Sequence, residues 1–457
     1  MLCLQLVLRK QLHWLIHVQK LPEELEQLVK DLWVLRLQKA QSRVAYESET
    51  ETEAPSSQVF SSQSESEATS ASRSTRKSRS KAKERVQEGS PTLLELLALC
   101  YIGLLLLRIP VTAADILEWA NDGQLLYYRA AREVPLGMRE RLPPRYQAQL
   151  EPQDLLQQST VHAAALNMLQ TFNADFGMAP PSLNIPLILY RWLRTLMLPV
   201  EVYAACNRLA ALLEMSFNFD LPPKSGGNKA LLYPEARLMA VVVASTKLLF
   251  PFDDIDRAVS SESDLGALRI DWKEWVRQQA AFSKESTDKR ALSFEQAFAF
   301  NETDCHTSSA DALDAYLEWY EDSIASEDIR ERGKAGKDAE LRRAMFAMFP
   351  LPDHTSKTPS AATPTSPEQY LRKVQLTLKA RHVQASGLFE DGCVVGSKYR
   401  RFRDASELSG NAKIFYERAA ELAGLSTDEM VRASFAIEKK MEKLEERLRK
   451  EAREGED

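Results

Sequence analysis

The chain is short of the features that mark chemistry or membranes. Its five cysteines (Cys3, Cys100, Cys206, Cys305 and Cys393) stand far apart with no CxxC pair, which argues against a disulfide framework and fits a reducing compartment. The longest apolar run, Leu96 to Leu107, is twelve residues. That is too short to cross a bilayer and reads as a buried helix. Residues 1–8 are apolar but carry no basic leader or small-residue cleavage site, so a signal peptide is not expected. Nucleophile elbow, paired-carboxylate motif and dinucleotide fingerprint are all missing. GKAGKD (333–338) matches a phosphate loop only in part: its glycines are too close, and Asp338 replaces the magnesium-binding Ser or Thr. SGGNK (225–229) reads as a loop between helices. His13 and His17 stand at i and i+4, yet Trp14 takes the place of the zincin Glu and no third ligand is near. They read as surface tips, and Cys305-His306 has no supporting ligand either. An enzyme is not expected, nor a cofactor or metal.

A net positive charge is missing as well. A formal net charge of −6 over 457 residues argues against a uniformly basic nucleic-acid binder, but the charge is segregated and binding depends on local patches. Six glutamates lie between Glu47 and Glu67, whereas RSTRKSRSKAKER (73–85) carries seven basic residues and one acid. Arg73, Arg76, Lys77, Arg79, Lys81, Lys83 and Arg85 could neutralise DNA phosphates, serve as a nuclear-import signal, or form a solvated linker block. Lys398, Arg400, Arg401 and Arg403 interleave with Tyr399 and Phe402, a pattern suited to phosphate contact with base stacking or wedge insertion, or to ordinary surface charge. Arg191 and Arg194 share one helix face, towards DNA or solvent.

At 457 residues the chain exceeds what one core supports, and 44% apolar residues suffice for two or three globular cores. Residues 4–37 hold two helical segments broken at Leu21-Pro22. Apolar periodicity vanishes over 42–90, which reads as a disordered insertion. It returns at Pro91 and lasts to about Phe176. GMAPPSLNIP (177–186) is the expected boundary between two helical units. In the second, Ala236, Ala240 and Ala244 recur every fourth residue and predict a central, closely approached helix. Between Asn301 and Glu331 ten acids face Arg330 alone, with Leu313, Tyr316, Leu317, Trp319 and Tyr320 available to pack. Residues 350–366 read as a linker. Ser426 and Glu429 have capping-box spacing. Ile437, Met441, Leu444 and Leu448 then form a coiled-coil-like stripe, or the face of a helix packed on its own domain. The expected class is all-α: 1–182 a first fold, 183–349 a second with an acidic extension, and 367–457 a helical C-terminal region.

Several segments carry a resemblance. RKQLHWLIHVQKLPEELEQLVKDLWVLRL (9–37) and PTLLELLALCYIGLLLLRIPVTAADILEWANDGQLLYYRAAREVP (91–135) resemble the first cyclin fold of the TFIIB-like subunit of the RNA polymerase I core factor. WLRTLMLPVEVYAACNRLAALL and YPEARLMAVVVASTKLLFPFDD resemble its second. The resemblance covers residues 1–40 and 91–260. It implies a nuclear and nucleolar initiation factor that binds the ribosomal DNA core promoter. Its implied partners are other core-factor subunits, TATA-binding protein and RNA polymerase I, and no membrane. Family members open with a zinc ribbon carrying CxxC-type ligands; no such cysteines occur here, and Met1 falls almost on the first cyclin-fold helix, which puts polymerase docking in question. The rival readings are a kinase-activating cyclin and a nuclear scaffold without DNA contact.

Overall fold

The computed structural model describes residues 1–52, 90–221, 231–325 apart from 254, 256, 289–291 and 293, five positions between 340 and 348, 367–384, and 395–454 apart from 397 and 398. The 73–85 block, Lys398, the 225–229 and 333–338 loops and the 350–366 linker lie outside the described residues, as do 53–89 of the expected insertion.

The first unit opens with α1 (Leu2–His17) and α2 (Glu24–Thr52). The chain turns between them with Lys20 at φ 56°, and Glu24 and Glu26 favour the start of α2 at its positive end. The backbone of α2 runs to Thr52, past the 4–37 bounds expected for the two helical segments and into the expected insertion. Good helix formers such as Ala40, Gln41, Arg43 and Glu47 extend a helix without requiring an apolar face. His13 and His17 are exposed, their rings 4.3 Å apart, and the described residues contain no cluster of three potential metal ligands.

Helix α3 (Leu93–Leu106) starts at Thr92, whose hydroxyl accepts the Glu95 N–H at 3.3 Å. Every residue from Leu96 to Leu105 is buried. A helix apolar on all sides can only sit at the centre of its unit, and this one does. Gly103 is what lets α2 approach: a Cβ there would lie 2.6 Å from Val29 Cγ2. Arg36 of α2 grips Glu95 of α3 through two hydrogen bonds of 2.9 and 3.2 Å. Thr112 and Asp115 form a capping box at α4 (Ala113–Asn121), and α5 (Thr160–Phe176) lies along α3.

The second unit comprises α6 (Ile185–Thr195), α7 (Glu201–Leu212), α8 (Pro234–Leu249) and α9 (Trp272–Asp288). Helix α8 has no solvent face: Pro234 to Lys247 are all buried, and Ala236, Ala240 and Ala244 completely so, as the alanine ridge predicts. Trp275 and Gln279 of α9 donate side-chain N–H groups to the carbonyls of Leu196 and Thr195, at 2.8 and 3.0 Å. They satisfy acceptors that the end of α6 leaves open.

In the acidic stretch, α10 (Ala310–Ser323) buries Trp319 against Phe294 (ring centroids 5.3 Å apart), while Leu317 and Tyr320 stay exposed. The C-terminal region contributes α11 (Pro367–Leu376), α12 (Gly410–Ala423) and α13 (Thr427–Glu454). The Ser426–Glu429 capping box is formed, at 3.0 and 3.2 Å. Both α12 and α13 pack on α8. Ile437 is fully buried, Met441 and Leu444 partly so, and Leu448 exposed. The stripe therefore packs on the chain's own core first and then runs out past it. Among the described residues the helical expectation holds except for a short antiparallel ladder, β1 (Leu268–Arg269) with β2 (Lys379–Ala380), and a parallel bridge between Val259 and Val383. Two-residue strands leave no alternation for a sequence to display.

Candidate nucleic-acid interface

The polar groups of α8 define the geometry around which any interface must be built. A helix without a solvent face must pair its charges internally, and Glu235, Arg237 and Lys247 do so. Glu235 is fully buried at the positive end of the helix. It accepts the Tyr101 hydroxyl of α3 at 2.8 Å and the backbone N–H of Ala113 of α4 at 3.3 Å. His162 of α5 places Nε2 3.4 Å from Glu235 and 2.9 Å from the carbonyl of Ala423 in α12. A carbonyl only accepts, so that nitrogen carries a hydrogen. Burial pushes the Glu235 carboxyl above its ordinary range, opposed by His162, Tyr101 and the Ala113 N–H. Burial, with the nearby Glu235 charge, also pushes the Tyr101 hydroxyl well above its own. First unit, second unit and C-terminal region thus meet at one buried carboxyl.

Arg191 reinforces this junction from its edge. Its guanidinium lies 2.7 Å from Asp115 and 3.3 Å from the Thr112 hydroxyl, the two residues that cap α4. Arg194, one turn on, meets Glu368 of α11 at 3.2 Å. The two arginines share a face as expected, and the acids they meet lie on elements distant in sequence.

The 399–403 segment surrounds the other end of α8. Lys247 is buried, with Nζ 2.5 Å from Glu438 of α13 and 3.4 Å from the Tyr416 hydroxyl. The rings of Phe402, Tyr399 and Tyr416 lie 4.8, 5.2 and 5.9 Å from it. Burial pulls Lys247 down and pushes Glu438 up, and each holds the other's charge against that pressure. The short contact inside three ring faces is an ion pair. Phe402 is only 3% exposed, so it is a cage wall rather than a stacking platform or wedge. Arg400 and Arg403 remain exposed outside the cage, over Phe402 and Phe435. Arg401 covers Tyr399 and pairs with Glu442 at 3.1 Å.

Beside the cage lies a cleft of about 250 Å³ lined by Arg257, Arg269, Lys273, Lys379 and Arg381 with Asp253 and Asp271. Arg257 grips Asp253 at 2.6 and 2.8 Å. Arg381 donates to the carbonyls of Leu249 and Leu268, while Lys273 and Lys379 are exposed. Sequence reading missed this cleft because its cations come from two segments, 257–273 and 379–381, separated by more than a hundred residues. Lys247 and Glu235 did leave a signal: they are charges in a helix with no polar face.

Two consecutive all-helical units, each built round a buried apolar helix, place the chain in the class of tandem cyclin-fold proteins. Within that class it belongs to the Rrn7/TAF1B family, whose N-terminal cyclin domain matches residues 4–136 and whose C-terminal cyclin domain matches residues 154–324. The C-terminal match begins ahead of α5, although α5 lies along α3. The chain is similar to the RNA polymerase I-specific transcription initiation factor rrn7 of Schizosaccharomyces pombe, with 25% identity over 305 residues. That alignment covers 62% of this chain and 56% of the relative, so the chain spans little more than half the length of its curated relative. It is also similar to a chain of the S. cerevisiae core factor crystal structure, at 12% identity and a TM-score of 0.49, covering 100% of this chain and 97% of that one. No helix among the described residues is long and apolar enough to cross a membrane.

Proposed function

We propose that this chain is an RNA polymerase I transcription initiation factor. In this reading it is a core-factor subunit that binds the ribosomal RNA gene core promoter in the nucleolus and recruits the polymerase. It acts by binding rather than catalysis, alongside TATA-binding protein and the other core-factor subunits. The observation that carries the reading is the match of both cyclin domains, in order, to one family. The buried junction at Glu235 supports it, because a factor that bridges DNA and polymerase benefits from folds held at a fixed angle.

The proposed phosphate contacts are the 73–85 block (Arg73, Arg76, Lys77, Arg79, Lys81, Lys83, Arg85), Lys398, Arg400, Arg401, Arg403 and the exposed edge of Arg194. Arg191, already engaged by Asp115, has less to offer a duplex. Such contacts position a duplex without reading its bases. The test is titration of ribosomal promoter and unrelated duplexes against salt, with the unaltered chain and with Arg400, Arg401 and Arg403 changed to Ala. Each lost contact lowers the log–log salt slope by about 0.9, equally on both duplexes. Failure of the unaltered chain either to bind promoter DNA or to retain polymerase I from nuclear extract would overturn the reading.

A further inference from the structure

The C-terminal end of α7 and the outer half of α13 enclose a groove of about 500 Å³. Leu212, Leu213 and Leu444 line it on the apolar side. Lys443, Arg447 and Lys450 line it on the basic side, along with Lys440, and only Glu214 and Glu446 oppose them. Steps of four and three residues put Lys443, Arg447 and Lys450 on one helix face. A second cavity of about 280 Å³, floored by Ile185, Leu189 and Met215, adjoins the first and shares Glu214 with it. Leu212 is 63% exposed, and Leu213 and Leu444 are half-buried beside it. Leucines gathered along a groove differ from the single exposed apolar residues of an ordinary surface.

We propose that this groove docks an acidic amphipathic helix from a partner protein. Charge selects the occupant. Three cations spaced over roughly 10 Å at 1.5 Å per residue match carboxylates at i, i+4 and i+7 of a facing helix. The leucine floor argues for a protein: a phosphate backbone satisfies the cations but leaves Leu212, Leu213 and Leu444 in water. Length agrees as well. From Lys439 to Glu454, α13 runs about 24 Å, room for four turns of a helix lying in the groove. The surface uses none of the residues offered above as DNA contacts, so it stands whether or not promoter binding does.

The experiment uses the full chain and labelled synthetic peptides in fluorescence anisotropy. One peptide carries leucines at i, i+3, i+4 and i+7 with glutamates, spaced four and three residues apart, along the flank of that leucine stripe. A second replaces the glutamates by lysines, and a third scrambles the first. Only the first is expected to bind the unaltered chain. The double change Lys443→Glu with Arg447→Glu weakens it about tenfold or more and transfers binding to the lysine peptide; Leu212→Asp weakens it similarly. All three positions are exposed, and unchanged circular dichroism and melting confirm that the variants fold. Equal binding of the scrambled peptide, or indifference to both variants, overturns the proposal. Displacement of the peptide by duplex DNA also overturns it, and makes the basic face a phosphate rail instead.

Discussion

Tyr101 of α3 donates its hydroxyl to Glu235 of α8 at 2.8 Å, so the buried central helices of the two cyclin folds are hydrogen-bonded directly to each other. Neither fold presents a polar surface there. The contact exists because each central helix places a polar group among apolar neighbours at this point, and each group satisfies the other. The Ala113 N–H and His162 close the remaining valences, which turns two adjacent bundles into one body.

Glu235→Ala leaves the Tyr101 hydroxyl, the Ala113 N–H and His162 facing a void. Stripping one member from a buried network costs about 3–5 kcal/mol, and chemical denaturation should show a loss of that order. Glu235→Gln keeps the shape and part of the hydrogen bonding, and its loss should be smaller. A loss below about 1 kcal/mol for the alanine variant would mean that water replaces the carboxyl.

The same carboxyl has a pH signature. Burial raises it above its ordinary 4.5, so over a window above that value the folded chain binds a proton that the unfolded chain has released. Its contribution is complete below about pH 4.5 and is lost as pH rises through the folded value. Stability of the native chain measured relative to Glu235→Gln should therefore fall with rising pH above 4.5. A difference that rises instead would show a carboxylate held ionised by its partners.

Lys247 and Glu438 provide the second test. Lys247→Met strands a buried carboxylate and should cost about 3–5 kcal/mol, whereas Lys247→Met combined with Glu438→Leu should recover most of it. A double-mutant cycle by urea denaturation reads the coupling. Near-additivity would mean that the three rings, not the ion pair, hold the C-terminal region against α8.

Gly103→Ala should destabilise by about 1–3 kcal/mol, because the new methyl would sit against Val29 in a filled core. Adding Val29→Ala should recover part of the loss. A thermal melt that Gly103→Ala leaves unchanged would show that α2 is free to shift.

Arg191→Ala separates structure from binding. The pair with Asp115 is 36% exposed on the arginine side, and such pairs contribute about 1 kcal/mol or less. A small stability change with unaltered promoter affinity is expected; a large drop in affinity would return Arg191 to the DNA surface.

Much of this protein was legible in its residues. The all-round apolar runs of α3 and α8, the break at Leu21-Pro22, the alanine ridge and the Ser426–Glu429 cap each express a local rule, and each forms as that rule requires. Family membership was legible too, through the order and wording of whole helices. Partners set by tertiary contact were not. Nothing local tells Tyr101 that it will meet Glu235 more than a hundred residues away, or sets Phe402 as a wall around Lys247 rather than a wedge. Glu235 and Lys247 are charges on a largely apolar helix, which cannot turn them to water once it is buried and so leaves them needing partners, yet the sequence reading did not single them out. Only the packing of α3, α12 and α13 onto α8 decided which partners those would be, because a pairing across separate helices depends on where they meet and not on any spacing within one.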